Sequence, residues 1–173
     1  MSYAFGHLIF AWIIAKGYEI LSKKKLSHLT WLFILFGAIL PDIDFLINWI
    51  FNLHIHRTFT HSILFVVVIS LLIYAFMRIF KSKSSAKDLA LAIGIGIILH
   101  LLIDLLAAPG INLLWPWNLY ISYFSVGYYS TEMLLAMSST YESVRAALNR
   151  AILDMGFGVL WLFFLWYRRR IKF

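Results

Sequence analysis

The sequence predicts an all-α protein, a polytopic membrane bundle of about five transmembrane helices with interfacial helices between them. Three observations carry this. Of the 173 residues, 62% are hydrophobic and 13% charged, whereas a soluble domain is nearer half apolar and a quarter charged. The apolar residues gather in runs of roughly 16 to 25, close to the ~20 that a helix needs to cross ~30 Å of hydrocarbon. Neither the period-2 alternation of a membrane barrel nor an internal repeat is present. The length suits one domain, so residues 1–173 read as a single integral membrane unit. This composition excludes a disordered chain. The absence of cysteine excludes disulfide frameworks, zinc ribbons, thiolate iron–sulfur sites and a cysteine nucleophile.

The first expected span covers residues 3–21 and is interrupted by His7, Lys16 and Glu19. No basic residue precedes its apolar run and no small-residue cleavage site follows, so it is expected to be retained. The second begins near Leu29 and meets Pro41, where a proline followed by Asp42-Ile43-Asp44 ends a membrane helix. The apolar residues 45–53 then read as a short helix at the interface. The third span covers residues 60–80, with Thr60 as its expected cap and Arg57 either a headgroup anchor or a phosphate ligand. The fourth covers 89–108 and the fifth 147–167. Between them, residues 111–145 are rich in Trp and Tyr, which favour the headgroup level; a re-entrant or surface helix, or a sixth span, is expected there. Gly94-Ile95-Gly96 lacks a third glycine and a Walker lysine, so these small residues suit close helix packing rather than a phosphate loop.

The charges orient these spans. Lys23–Lys25, then Arg78, Lys81, Lys83 and Lys87, then Arg168–Arg170 and Lys172 all fall on one side if five spans alternate. The positive-inside rule makes that side cytoplasmic, with the amino end outside and the carboxyl end inside. The net charge of +7 is then a set of topology anchors, and no nucleic-acid partner is expected.

With that topology, His7, Asp42, Asp44, His56, Arg57, His61, His100 and Asp104 arrive from four helix ends at one extracytoplasmic level. Ionisable groups at membrane depth cost about 2.5–3.5 kcal/mol each on insertion scales, and persist when they pair, face water or bind a cation. His100 and Asp104, spaced i, i+4, share a helix face. His and Asp together, without Cys, suit Zn²⁺ or a similar divalent ion. Each block also has a plainer explanation: a His–Asp hydrogen bond for His100 and Asp104, a helix stop for Pro41-Asp42-Ile43-Asp44. The convergence favours a metal site. His28, beside the lysine cluster, is excluded from it, while His54, Glu132 and Asp154 are left open.

The blocks His7, Gly37–Asp44 with its Pro-Asp-x-Asp, His56–Ser62 with its His-Arg-x-x-Thr-His-Ser, His100–Asp104 and Leu113–Pro116 together resemble the YdjM-like family of membrane-bound metal-dependent hydrolases, in order and over essentially the whole chain. The resemblance implies a relation to zinc-dependent phospholipase C, an all-α fold whose helices supply His and Asp ligands. It implies His7, Asp42, Asp44, His61, His100 and Asp104 as ligands, with His56 a ligand or a supporting group. The later His and His-x-x-x-Glu ligands of the soluble phospholipases are missing here, so one or two ions are expected rather than three.

The function expected is hydrolysis of a phosphoester in a lipid or lipid-linked substrate. The metal activates water, Asp42 or Asp44, whichever is not fully committed to the metal, takes the proton, and Arg57 holds a phosphate oxygen. The rivals are a metal- or proton-coupled transporter and a zinc-dependent lipid amidase of the ceramidase type. The oligomeric state is not legible in the sequence.

Overall fold

The structure is a computed structural model. It describes residues 4–44, 57–80, 85–106, 110–117, 119–123 and 126–128, together with positions 156, 158–161 and 163. Among the described residues four α-helices can be bounded: α1 (Ala4–Ser22), α2 (His28–Gly37), α3 (Ile63–Ile79) and α4 (Ala86–Asp104). Two 3-10 turns, Leu40–Ile43 and Phe59–His61, follow α2 and precede α3.

Serines start three of these helices by accepting a backbone N–H that has no partner within the helix. Ser27 caps α2 through Thr30 N, and Ser62 caps α3 through Phe65 N. Ser85 caps α4 through Asp88 N. Ser62, not Thr60, is therefore the cap of α3. Its hydroxyl also donates to Phe59 O at 2.6 Å, which locks the preceding turn onto the helix. α1 ends at Lys23, whose φ of 56° is a left-handed helix stop. Glu19, which interrupts the apolar run of α1, ties the α1–α2 connection together. It accepts from Lys16 Nζ at 2.7 Å, Leu26 N at 2.8 Å and Trp31 Nε1 at 3.2 Å.

The first four expected spans thus coincide with α1 to α4. Among the described residues, however, only Ala86–Asp104 is long and apolar enough to cross a membrane by itself. α3 has 17 residues. α2 has 10, because the chain leaves the α-helix at Gly37 and enters a 3-10 turn carrying Pro41. The interfacial helix expected at 45–53 lies outside the described residues, as does most of the fifth span. Positions 156, 158–161 and 163 within that span are helical. Its Trp161 ring lies 4.9 Å from Trp12 of α1, edge to face.

The described part of the aromatic region, up to Tyr128, is not helical, and residues 129–145, which the expected helix or sixth span also covers, lie outside the described residues. Strand β1 (Leu119–Ile121) pairs antiparallel with β2 (Val126–Tyr128), with Tyr120 opposite Gly127 and Ile121 opposite Val126. Ile111 bridges to Ile121 on the other side. Aromatic and β-branched residues suit a pleated, half-buried surface as well as a headgroup zone, and here that preference decides the backbone.

α4 is the central helix. Leu89, Ala92, Ile93, Ile97 and Leu101 are buried along it. Against α2 the approach is too close for side chains. A Cβ on Gly37 would meet the Ile93 carbonyl, and one on Gly96 would meet the Ile34 carbonyl, so this crossing needs glycine on both helices. Outward, large apolar residues are exposed: Leu71, Leu72 and Ile79 on α3, and Leu91, Ile95 and Ile98 on α4. Inward, His7, Asp44, Arg57, His61, His100 and Asp104 are buried. Apolar outside and polar inside is the distribution that a hydrocarbon solvent selects. α3 and α4 run antiparallel, so His61 before α3 and Asp104 at the end of α4 share one end of the bundle, away from Arg78 and Lys87.

Candidate metal centre

Four helix ends deliver the buried polar side chains to one point. α1 supplies His7, and the turn after α2 supplies Asp42 and then Asp44. The turn before α3 supplies His61, and the last turn of α4 supplies His100 and Asp104. Asp42, His61, His100 and Asp104 each offer one donor atom, and the four atoms all lie within 4.8 Å of one another. The two imidazole Nε2 atoms are 3.2 Å apart. Asp42 Oδ1 is 3.6 Å from His61 Nε2 and 3.6 Å from His100 Nε2. Asp104 Oδ2 is 3.3 Å from His61 Nε2 and 3.7 Å from His100 Nε2.

These separations test the fit of a metal. Zinc bonds to nitrogen and oxygen are about 2.1 Å, and a tetrahedron of such bonds has edges of about 3.4 Å. The five edges of 3.2–3.7 Å bracket that value. Two ring nitrogens and two carboxylate oxygens aimed at one point are a donor set for a divalent cation. Asp104 Oδ1 is buried and receives no hydrogen bond, which is costly for an anion unless a cation faces it.

Surrounding groups hold the donors in orientation. His100 Nδ1 is 2.8 Å from the carbonyl oxygen of Ala38, the residue that ends α2. The Nδ1–H donates there, which leaves the Nε2 lone pair for the centre. His61 is held on its outer side by Thr60 Oγ1 at 2.9 Å and Asp44 Oδ2 at 3.5 Å. Thr60 Oγ1 in turn donates to Asp44 Oδ2 at 2.6 Å. His7 stacks on His100, ring centroids 3.8 Å apart and planes at 17°. Its Nε2 is 3.5 Å from Asp104 Oδ1 and 4.0 Å from Asp42 Oδ2.

Arg57 is 4% exposed and has φ of 63°, an uncommon conformation for a residue with a side chain. Contacts on all sides impose it. Its N–H donates to Asp44 Oδ2 at 3.3 Å, and its carbonyl accepts from Asn112 N at 3.2 Å. Nη1 donates to Gly110 O at 3.4 Å, and Nη2 lies 3.7 Å from Asp104 Oδ2. The headgroup-anchor reading is thereby corrected, because a buried guanidinium beside a buried carboxylate is not at the headgroups.

Of the expected ligands, the structure brings together Asp42, His61, His100 and Asp104, with His7 against them. It sets Asp44 on the far side of His61, touching the ring nitrogen that points away from the centre. His56, His54, Glu132 and Asp154 lie outside the described residues. His28 is exposed at the start of α2. Sequence reasoning missed the Ala38 carbonyl and the role of Thr60. The first carries no side-chain signal. The second had one, since Thr60 adjoins His61 and a hydroxyl beside an imidazole is a ready orienting group.

The family profile described as YdjM inner membrane protein matches residues 1–172. No curated protein and no solved structure matches the chain.

Proposed function

This chain belongs to the YdjM inner membrane protein family, and from that premise we propose that it is a membrane-embedded, metal-dependent hydrolase of lipid or lipid-linked phosphoesters. The observation that carries the proposal is the set of four donor atoms, two from His and two from Asp, that lie within 4.8 Å of one another, with the His–His and His–Asp separations close to the edge of a zinc tetrahedron. Asp42, His61, His100 and Asp104 hold a divalent ion, Zn²⁺ by donor type. When bound there, such an ion is a Lewis acid that lowers the pKa of water toward neutrality.

The chain's own groups do the rest. Asp42 is the most accessible of the four, with 16% of its side chain exposed against 3% for Asp104. It is therefore the donor most open to attacking water. Asp44 and Thr60 fix the His61 ring. Arg57 is assigned to Asp104, whose negative charge it balances, rather than to a substrate phosphate. The five-span topology with the amino end outside, supported by the basic-residue pattern, puts this end of the bundle at the extracytoplasmic leaflet. Phosphoester rather than amide hydrolysis is the reading that the family resemblance implies, through the relation to zinc-dependent phospholipase C expected of that family. A transporter needs polar access along both halves of the bundle, whereas α4 between Leu89 and Leu99 is built of Ala, Gly, Leu and Ile.

The test is turnover of a phospholipid panel by detergent-purified, Zn²⁺-loaded protein, followed by release of the phosphorylated headgroup or of diacylglycerol. Activity that is lost on chelation and in Asp104→Ala supports the proposal. A metal-loaded, folded protein that cleaves no phosphoester in the panel overturns it.

A further inference from the structure

We infer that the centre holds a second divalent ion, bound by His7, Asp42 and Asp104, with the two carboxylates bridging it to the first. This rests on the four-donor metal reading above and extends it.

The argument is the division of oxygens. Asp42 turns Oδ1 toward His61 and His100, and its other oxygen, Oδ2, toward His7 Nε2. Asp104 does the same, with Oδ2 toward His61 and His100 and Oδ1 toward His7 at 3.5 Å. Each carboxylate therefore presents one oxygen to each of two positions. Bridging carboxylates are placed this way when two ions sit about 3.5–4 Å apart. The independent observation is Asp104 Oδ1. It belongs to a side chain with 3% exposure, it points at His7 rather than at the four-donor set, and no hydrogen bond reaches it. A single ion among the four donors leaves this oxygen uncompensated.

The two positions differ in kind. The first has four protein donors. The second has three, and so keeps coordination positions open for solvent or for an oxygen of an anionic phosphoryl group. The ion beside His7 is then the more weakly held.

The experiment is a metal count that does not depend on activity. Full-length protein in detergent is stripped with chelator, titrated with Mn²⁺ or Zn²⁺ by calorimetry, and analysed for metal content. Two ions per chain are expected, taken up in a tight and a weaker step. Mn²⁺-loaded protein should give the electron paramagnetic resonance spectrum of a spin-coupled pair. His7→Ala should bind one ion with the tight step retained and the weak step weakened at least about 10-fold, since losing even a supporting group costs about 10–100-fold. Should His7→Ala not fold, the wild-type stoichiometry and spin coupling carry the test, with His7→Gln as the second variant. Saturation of the wild type at one ion, two ions without coupling, or an unchanged weak step in a folded variant overturns the inference and leaves the hydrolase reading standing. No ion at all overturns both. Two coupled ions in a protein that cleaves no phosphoester upholds the inference and removes the hydrolase reading.

Discussion

The carbonyl oxygen of Ala38 accepts the Nδ1–H of His100 across 2.8 Å, and this bond joins the packing of the bundle to the chemistry of its centre. Ala38 follows Gly37, and Gly37 meets Gly96 one turn before His100 on α4. The closeness of the α2–α4 crossing thus sets where the Ala38 carbonyl sits, and that carbonyl sets which nitrogen of His100 faces the donors. Ala38, Gly37 and Gly96 offer no side-chain donor to the centre, yet they are part of its geometry.

Gly96→Ala should accordingly cost both stability and metal. The added methyl meets the Ile34 carbonyl, a backbone atom that cannot rotate away. Overpacking of this kind costs about 1–3 kcal/mol, and more where backbone must shift. Thermal melts should show the loss, and metal titration should show weakened binding. Gly17→Ala is the control. Nothing lies within 4 Å of its added Cβ, and replacing a helical glycine should stabilise by about 0.5–1 kcal/mol.

Metal removal should destabilise the fold. Asp44, His61, His100 and Asp104 are buried together, and without a cation their carboxylates lose the charge that offsets their burial. A ligand that binds only the folded state stabilises it by about 2.7 kcal/mol at 100 times its dissociation constant. Chelator should lower the melting temperature of loaded protein in detergent, and Zn²⁺ should restore it. An unchanged melt in protein verified to be loaded and then stripped would count against the shared site.

Much of this centre is legible in the sequence. His100 and Asp104 share a face by helical periodicity, and the cost of ionisable groups at membrane depth says that they need a partner. Pro41 announces the end of α2, and Gly96 announces a close crossing. The separate fates of Asp42 and Asp44 are not legible, because both sit in one Pro-Asp-x-Asp block. The turn divides them: Asp42 lies in the 3-10 turn and Asp44 just past its end, and side chains two apart in a helical backbone are rotated by about 200–240° and face different directions. The hairpin was hidden for another reason. Trp and Tyr carry two preferences, for headgroups and for strands, and composition alone does not rank them.

That division predicts unequal mutants. Asp42→Ala removes a donor oxygen and should abolish metal binding at the four-donor position. Asp44→Ala leaves all four donors and removes only the support of His61, so binding should weaken by about 10–100-fold. Calorimetric titration of the two variants separates the cases. Equal losses would place Asp44 among the ligands after all.

Arg57 should behave as a buried structural cation. Arg57→Ala strands Asp104 beside empty space, and breaking a buried pair costs about 3–5 kcal/mol. It also removes the contact to Gly110, though Asn112 still donates to the backbone carbonyl at 57. Arg57→Lys keeps a charge but not the planar fork that spans Asp104 and Gly110. It should fold with a smaller loss and retain metal. Thermal melts with metal analysis check both variants. If Arg57→Ala melts like the wild type, the guanidinium is not holding Asp104.

The orientation of the bundle is open to a direct test. The connection from α3 to α4 carries Arg78, Lys81, Lys83 and Lys87, while the centre lies at the other end of both helices. Reporter fusions after Lys25, Lys83 and Phe173 should therefore read cytoplasmic, and one near Leu53 extracytoplasmic. The decisive position is Leu53, because the residues that flank its segment, Asp44 and Arg57, both lie at the centre. A cytoplasmic reading there would move the donors to the inner leaflet. The metal chemistry would survive, since it depends only on the distances within the site, but the substrate pool would change to lipids of the cytoplasmic face.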